Sequence, residues 1–243
     1  SHILASTIPN CVTYDPCFAY EMAVIVQHGM KRMVQDQENV FFYITAMNEN
    51  YHQPAMPSGV ENDIVKGMYK LQNASKNAKL RVQLLGSGTI LREVIAAAEL
   101  LKNDWNVHAG IWSVTSFNEL GKDARATERW NLLNADKTPR ESFVTRQLKD
   151  CDCPVIAATD YIKSYAEQIR QQVPDSYTVL GTDGFGRSDT RENLRHFFEV
   201  DRYFITVAAL KSLADKGSIE TDMVVEAISK YGIDSDKPDP LTV

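Results

Sequence analysis

Apolar and polar positions alternate along the chain in two rhythms, one of strands and one of helices. Cys11-Val12-Thr13-Tyr14 is a short strand-forming run. Asp15-Pro16 then predicts a helix entry, with Asp15 as N-cap and Pro16 in the first turn. Ala19, Met22, Ala23, Val26, Met30 and Met33 keep helical spacing. Val40 to Thr45 is β-branched and aromatic, which predicts a strand buried on both faces. Residues 48 to 59 carry two prolines, a glycine and few apolar side chains, so residues 48–79 read as a linker holding a domain boundary.

Past this stretch the alternation becomes regular. Strands are predicted at Leu80–Leu85, Gly110–Thr115, Pro154–Ala158 and Tyr177–Leu180. Between and after them, helices are predicted at Thr89–Leu101, Phe117–Leu133 (one or two), Tyr161–Val173, Asp189–Phe197, Arg202–Lys216 and Thr221–Tyr231. Such alternation implies βαβ crossovers and an α/β fold, a three-layer α/β/α domain with a mostly parallel sheet over residues 80–243. Residues 1–47 hold only strand, helix, strand, a partial α/β unit too small to bury a core of its own. Left incomplete, that unit is expected to self-associate or to stay mobile, because its strand edges and apolar faces lack cover.

Composition narrows the class. The 243 residues are 44% hydrophobic and 24% charged, as in a folded globular protein. A net charge of −6 disfavours general nucleic-acid binding. No run reaches the length of a membrane span, and Ser1-His2-Ile3-Leu4 has no signal-peptide character. The chain does not begin with Met, which suggests processing or excision from something longer. Cys11, Cys17, Cys151 and Cys153 match neither a redox nor a zinc spacing and read as reduced thiols of a cytosolic protein.

Candidate chemistry is sparse. Gly86-Ser87-Gly88 lies between strand and helix, but Leu91 stands where a dinucleotide fingerprint needs a small residue, so the segment reads as a tight turn. The glycine-rich loop 181–189 places Arg187 near a helix start. Asp183 and Asp189 would repel a phosphate there, and Asp189 with Glu192 suggests a capping box, so a structural or interface loop is expected. Glu192, His196 and Glu199 share a helical face without a fourth ligand and read as a solvated face. His28 and His108 have no partners that spacing identifies.

Longer motifs carry more. Ile8-Pro9-Asn10, Tyr14-Asp15-Pro16 and Ala19-Tyr20-Glu21 resemble the late pyrimidine-binding domain of transketolase-type thiamine-diphosphate enzymes. Asn48 to Pro57, Leu85 to Arg92, Ser113 to Leu120, Glu128 to Asn131 and Leu180 to Asp189 look like the homodimeric pyruvate dehydrogenase (acetyl-transferring) family of bacterial pyruvate dehydrogenase complexes. The resemblance implies a pyrimidine-domain end over 1–47 and a transketolase-like C-terminal domain over 80–243. It implies thiamine diphosphate and Mg2+ as cofactors, pyruvate as substrate, and a dihydrolipoyl acetyltransferase as the partner whose lipoyl groups are acetylated. A cytoplasmic homodimer is implied, with no nucleic acid and no membrane as partner.

The family's metal-binding Gly-Asp-Gly motif and its cofactor-activating glutamate lie outside these residues, so the chain alone is expected to be inactive and to bind neither cofactor nor metal. Ser1-His2 resembles the end of the family's Glu-Asp-Gly-x-x-His stretch, which implies a substrate-facing His2 in the intact enzyme and a frayed terminus in the isolated chain. Ala46 falls where sugar-phosphate transketolases place an arginine. Asn50 and His52 are candidates for the substrate pocket or the dimer face, with plain linker hydrogen bonds as the alternative. Two other functions stay open: a purely structural dimerisation module, and a transketolase acting on sugar phosphates.

Overall fold

Strand-forming residues at both ends of a helical stretch build the first unit. In the computed structural model, which describes residues 1–75 and 77–243, helix α1 (His2–Ser6) leads into β1 (Cys11–Tyr14). Helix α2 (Ala19–Met30) runs on as a π-helical turn over Lys31–Gln35 and is followed by β2 (Phe41–Ile44). The strands pair in parallel, Cys11 opposite Phe41 and Tyr14 opposite Ile44. β1 is buried throughout. β2 departs from expectation, with Phe41 45% and Tyr43 36% exposed. The reason is cover on one face only: just Phe42 and Ile44 join the small core with Val12, Tyr14 and Ile25, and the face of Phe41 and Tyr43 is left open. Val26, Met30 and Val34 are exposed on the same unit.

The expected helix entry also differs. Helix α2 starts at Ala19, and its free amides are met by Glu21, whose Oε2 accepts from Cys17 N at 2.6 Å and Phe18 N at 2.9 Å. Asp15 caps nothing.

The expected linker is structured in its second half. Residues 48–79 contain helix α3 (Glu61–Lys66) and strand β3 (Met68–Gln72); Lys76, within the same range, lies outside the described residues. Met68 and Tyr69 are fully buried, so the C-terminal domain gains its outer strand upstream of residue 80. A five-residue strand flanked by polar residues offers too short a pattern for its period to show.

The main sheet is built from β4 (Arg81–Gly86), β5 (His108–Val114), β6 (Val155–Ala158) and β7 (Tyr177–Leu180), with β3 at one edge. Strand order is β3-β5-β4-β6-β7, and only β3 runs antiparallel. A 3-10 turn (Gly88–Ile90) opens helix α4 (Leu91–Trp105). Helices α5 (Phe117–Leu133), α6 (Phe143–Leu148), α7 (Ser164–Glu167), α8 (Arg191–Phe197), α9 (Arg202–Asp215) and α10 (Thr221–Lys230) follow. Alternate residues of β4 feed the two faces. Val82 and Leu84 join α4 and α9 residues in one core, while Leu85 joins Trp112, Phe117 and Tyr165 in the other. This is the expected three-layer α/β arrangement.

Local corrections follow from capping and packing. Phe117–Leu133 is one helix. The stretch predicted as Tyr161–Val173 breaks into α7 and a 3-10 turn at Arg170–Gln172. Thr190, not Asp189, caps α8, accepting from Asn193 N at 3.3 Å. Cys151 and Cys153 form a disulfide, their Cα atoms 5.3 Å apart and so within bonding range, against the expectation of reduced thiols. Cys11 and Cys17 are free and buried. No helix among the described residues is long and apolar enough to cross a membrane.

Candidate functional site

Parallel strands bring their carboxyl ends to a common edge, and the two units meet along that edge. Asp15 follows β1. Its N–H donates to Thr115 O at 2.8 Å, and its carbonyl accepts from Gly88 N at 3.0 Å. The end of β1 thus plugs the gap between the ends of β4 and β5. The Asp15 carboxyl accepts from Thr45 Oγ1 at 2.7 Å through Oδ1, while Oδ2 is buried with no hydrogen-bond partner among the described residues. Burial pushes this carboxyl up to about 7, against the pull of the Thr45 and Ser87 hydroxyls.

The Gly86-Ser87-Gly88 turn therefore closes on a carboxyl of the same chain, and it is the expected tight turn. Gly88 has φ +49, and a Cβ there would lie 2.6 Å from Asp15 Oδ1. Gly88→Ala should cost roughly 2–4 kcal/mol in urea denaturation, from the clash and the left-handed backbone together. In an Asp15→Ala background the same substitution should cost less than half as much, and an undiminished cost would rule out this clash as the cause.

His2 lies beside Asp15. The terminus is not frayed: His2 opens α1, is fully buried, and its carbonyl accepts from Asn118 Nδ2 at 2.9 Å. The ring stacks on Tyr165 with centroids 4.9 Å apart and meets Tyr161 and Tyr43 edge-on at 4.7 and 5.3 Å. Burial, with the charge of the chain terminus, lowers its pKa to about 4. His2 Nε2 is 3.2 Å from Thr45 Oγ1, whose own hydrogen goes to Asp15. The neutral ring is then protonated at Nε2, leaving Nδ1 without a partner among the described residues. The geometry is that of an enclosed positioning group.

Ala46, Asn50 and His52 are exposed. Asn50 and His52 make no side-chain hydrogen bond among the described residues, so the linker hydrogen bonds considered for them fall to their neighbours. Glu49 pairs with Arg92 at 2.7 Å and reaches Arg195 and Arg191 at 3.6 and 3.7 Å. The Arg92 hydrogen bond holds the Glu49 carboxyl below its usual range. The Tyr51 hydroxyl donates to Cys17 O, and Gln53 Oε1 accepts from Ala19 N at 2.9 Å. Within this segment Glu49 and Tyr51 are half-buried, whereas Asn50 and His52 face outward. The residues of interest in the sequence were the outward set.

Sequence reasoning also missed Glu21. Its carboxylate is fully buried, and Oε1 accepts from Tyr69 OH at 2.7 Å and Ser113 Oγ at 2.6 Å, while Oε2 takes the Cys17 and Phe18 amides. One side chain thereby ties α2 to β3 and β5. An acid in the first turn of an otherwise apolar helix face was the available signal. Elsewhere, Glu192, His196 and Glu199 do not converge: His196 Nδ1 bonds Asp201 Oδ2 at 2.9 Å and Glu199 pairs with Lys237 at 2.8 Å.

Two family models match separate stretches of the chain. Residues 67–201 match the family model described as transketolase-like TK C-terminal domain, which starts beside β3, and residues 1–54 match the pyruvate dehydrogenase E1 component middle domain. The pyruvate dehydrogenase E1 component of Cupriavidus necator is 59% identical over 100% of this chain and 27% of the relative. That of Pseudomonas aeruginosa is 60% identical over 99% and 27%, and that of Escherichia coli K12 is 54% identical over 99% and 27%. The chain thus spans about a quarter of the length of these curated relatives. Among solved structures, transketolase from Leishmania mexicana aligns with TM-score 0.57 at 13% identity, over 88% of this chain and 27% of that one. A split gene transketolase, an inactive beta4 tetramer, aligns with TM-score 0.54 at 13% identity, over 88% and 60%. Identities that low show likeness of fold alone. With the family model covering more than half its residues, on a sheet of matching architecture, the chain belongs to the transketolase-like C-terminal domain family.

Proposed function

We propose that this chain is the end of the middle domain and the C-terminal domain of a pyruvate dehydrogenase, the component that decarboxylates pyruvate on thiamine diphosphate and Mg2+ and reductively acetylates lipoyl groups. The observation that carries this reading is 54–60% identity along the whole chain to relatives bearing that name. A cytoplasmic homodimer working with a dihydrolipoyl acetyltransferase goes with it. A transketolase acting on sugar phosphates is the weaker reading, since its solved examples share only 13–18% identity and Ala46 offers no cation for a phosphate.

The chain's own residues do not fit a thiamine diphosphate–metal site. Among the described residues no group of three or more His, Cys, Asp or Glu side chains could hold a metal ion. The buried Glu21 carboxylate is fully engaged by hydroxyls and backbone amides, and that of Asp15 is closed in by Thr45 and Gly88. No chemical step is therefore routed through cofactor or metal on this chain. Its contribution is positional. His2 and Asp15 hold Thr45 at the end of β2, Glu21 seats α2 on the sheet, and outward-facing Asn50 and His52 are left to meet another chain. By itself the chain is a structural module without turnover.

The test is steady-state turnover with pyruvate, thiamine diphosphate, Mg2+ and ferricyanide. The full-length protein should reduce ferricyanide, and the 243-residue chain should not exceed a cofactor-free blank. Turnover by the chain alone, or sugar-phosphate transfer by the full-length protein, would overturn the reading.

A further inference from the structure

In an open parallel sheet, ligands settle beyond the carboxyl ends of the strands, where the chain reverses its direction of progress across the sheet. Here the chain passes from β4 outward to β5, then returns across β4 to β6, so the reversal lies between β4 and β6. On the β4–β5 side the space is filled by Asp15. On the β4–β6 side a cavity of about 250 Å³ remains open. Thr89, Asp160 and Thr182, which follow β4, β6 and β7, form its inner end.

The wall carries unlike groups. Arg187 and Arg191 bring guanidinium charges from the glycine-rich loop and α8. Arg187 lies over the Phe197 ring at 4.5 Å and makes no ion pair among the described residues, whereas Arg191 donates to Asn48 Oδ1 at 2.7 Å and lies 3.7 Å from the Glu49 carboxylate. Arg195 is committed to Glu93 at 3.1 Å and Thr89 at 3.0 Å. Asp160 brings the opposite charge, and its carboxylate accepts no hydrogen bond among the described residues. Burial raises its pKa, against the pull of the nearby Arg195 charge. Met47, Leu194 and Phe198 make an apolar wall.

These features select a ligand class. A bare phosphate would satisfy the arginines and be repelled by Asp160. A nucleotide asks for more than this volume, since pockets for larger organic ligands run from about 300 Å³ upward. An α-amino acid meets every group at once. We propose that this cavity binds a free amino acid with an aliphatic side chain, its carboxylate at Arg187 and Arg191, its ammonium group at Asp160 and its side chain against Met47, Leu194 and Phe198. Met47 and Asn48 belong to the connection leaving β2, so an occupant would touch that connection and the C-terminal domain together.

Isothermal titration calorimetry of the full-length protein tests this with L-valine, isobutyrate and isobutylamine, the last two each lacking one of the charges. L-valine should bind at one site per chain, and each half-ligand should bind at least roughly tenfold more weakly. Arg187→Gln and Asp160→Asn, both at exposed positions, should each weaken L-valine by roughly tenfold. Asp160→Asn should leave isobutyrate as tight as before or tighter, which simple damage to the site would not do. No heat from L-valine at roughly 10 mM, half-ligands that bind as well as valine, variants that bind as wild type, or inorganic phosphate binding more tightly than valine would each overturn the proposal.

Discussion

Glu21→Ala should lower the stability of the chain by about 3–5 kcal/mol, the cost of leaving several buried hydrogen-bond donors without their shared acceptor. The Tyr69 and Ser113 hydroxyls and the Cys17 and Phe18 amides all point at the missing carboxylate, and of these Tyr69 alone has a second partner among the described residues, the Tyr20 hydroxyl at 2.5 Å. Each stranded donor adds its own desolvation cost. Burial raises the pKa of Glu21, yet all of these donors pull it back, and a carboxylate surrounded only by donors is best served ionised. Glu21→Gln separates charge from hydrogen bonding. Its amide oxygen can still serve the backbone amides, and its NH2 can donate to the Tyr69 and Ser113 hydroxyls, which rotate to accept. The expected cost is about 1–2 kcal/mol. Urea denaturation followed by both fluorescence and circular dichroism reads the difference. An Ala variant within about 1 kcal/mol of wild type would show that the network contributes little.

Asp15→Asn should reverse the pH dependence contributed by the seam between the units. Asp15 has its folded pKa raised to about 7 from 3.8, so the folded state binds the extra proton between those values. Stability from this group is fully present below about pH 4 and is lost as pH rises through about 7. At full amplitude the loss is on the order of 4 kcal/mol. His2 runs the other way. Its folded pKa of about 4 lies below the ordinary 6.5, so its contribution is present above pH 6.5 and lost as pH falls through about 4. Between about pH 4 and 6.5 the two slopes oppose each other in the native chain. Subtracting the wild-type stability from that of Asp15→Asn should give a curve that rises with pH up to about 7 and then levels. His2→Phe, which keeps the ring among Tyr43, Tyr161 and Tyr165, should give a difference curve that falls over its own window. Parallel profiles for wild type and Asp15→Asn would remove Asp15 as a titrating group.

The main sheet was legible because its strands are long enough, or apolar enough, to declare themselves. Leu80, Val82, Leu84 and Leu85 are broken only by Arg81 and Gln83, and Ile111, Trp112 and Val114 only by Ser113, so apolar and β-branched residues dominate both runs. β3 was hidden because Met68 and Tyr69 are followed at once by Lys70, whose ammonium group lies over the Trp112 ring at 4.6 Å and so reads as polar while packing on the core. The half-exposure of β2 is not legible in the sequence, because β-branched and aromatic residues report a strand, not the number of faces covered. Asp15 looked like a cap since Asp-Pro is a helix-entry signal, but its carboxyl is claimed by Thr45, 30 residues away. The same long reach conceals Glu21, whose partner Ser113 is 92 residues distant. Partners so far apart leave no local spacing to read, which is why the strands could be placed and the seam between the units could not.

The insertion of Asp15 between the ends of β4 and β5 constrains how this chain can be recombined with its relatives. A crossover placed in the polar stretch after residue 48 looks harmless, yet it would separate Asp15 from Gly88 and Glu21 from Tyr69 and Ser113. Chimaeras joined there should fold only when both parents carry compatible residues on each side of the exchange. A splice that moves residues 1–115 as one block keeps every one of these pairs together, and it is the better unit for building hybrids.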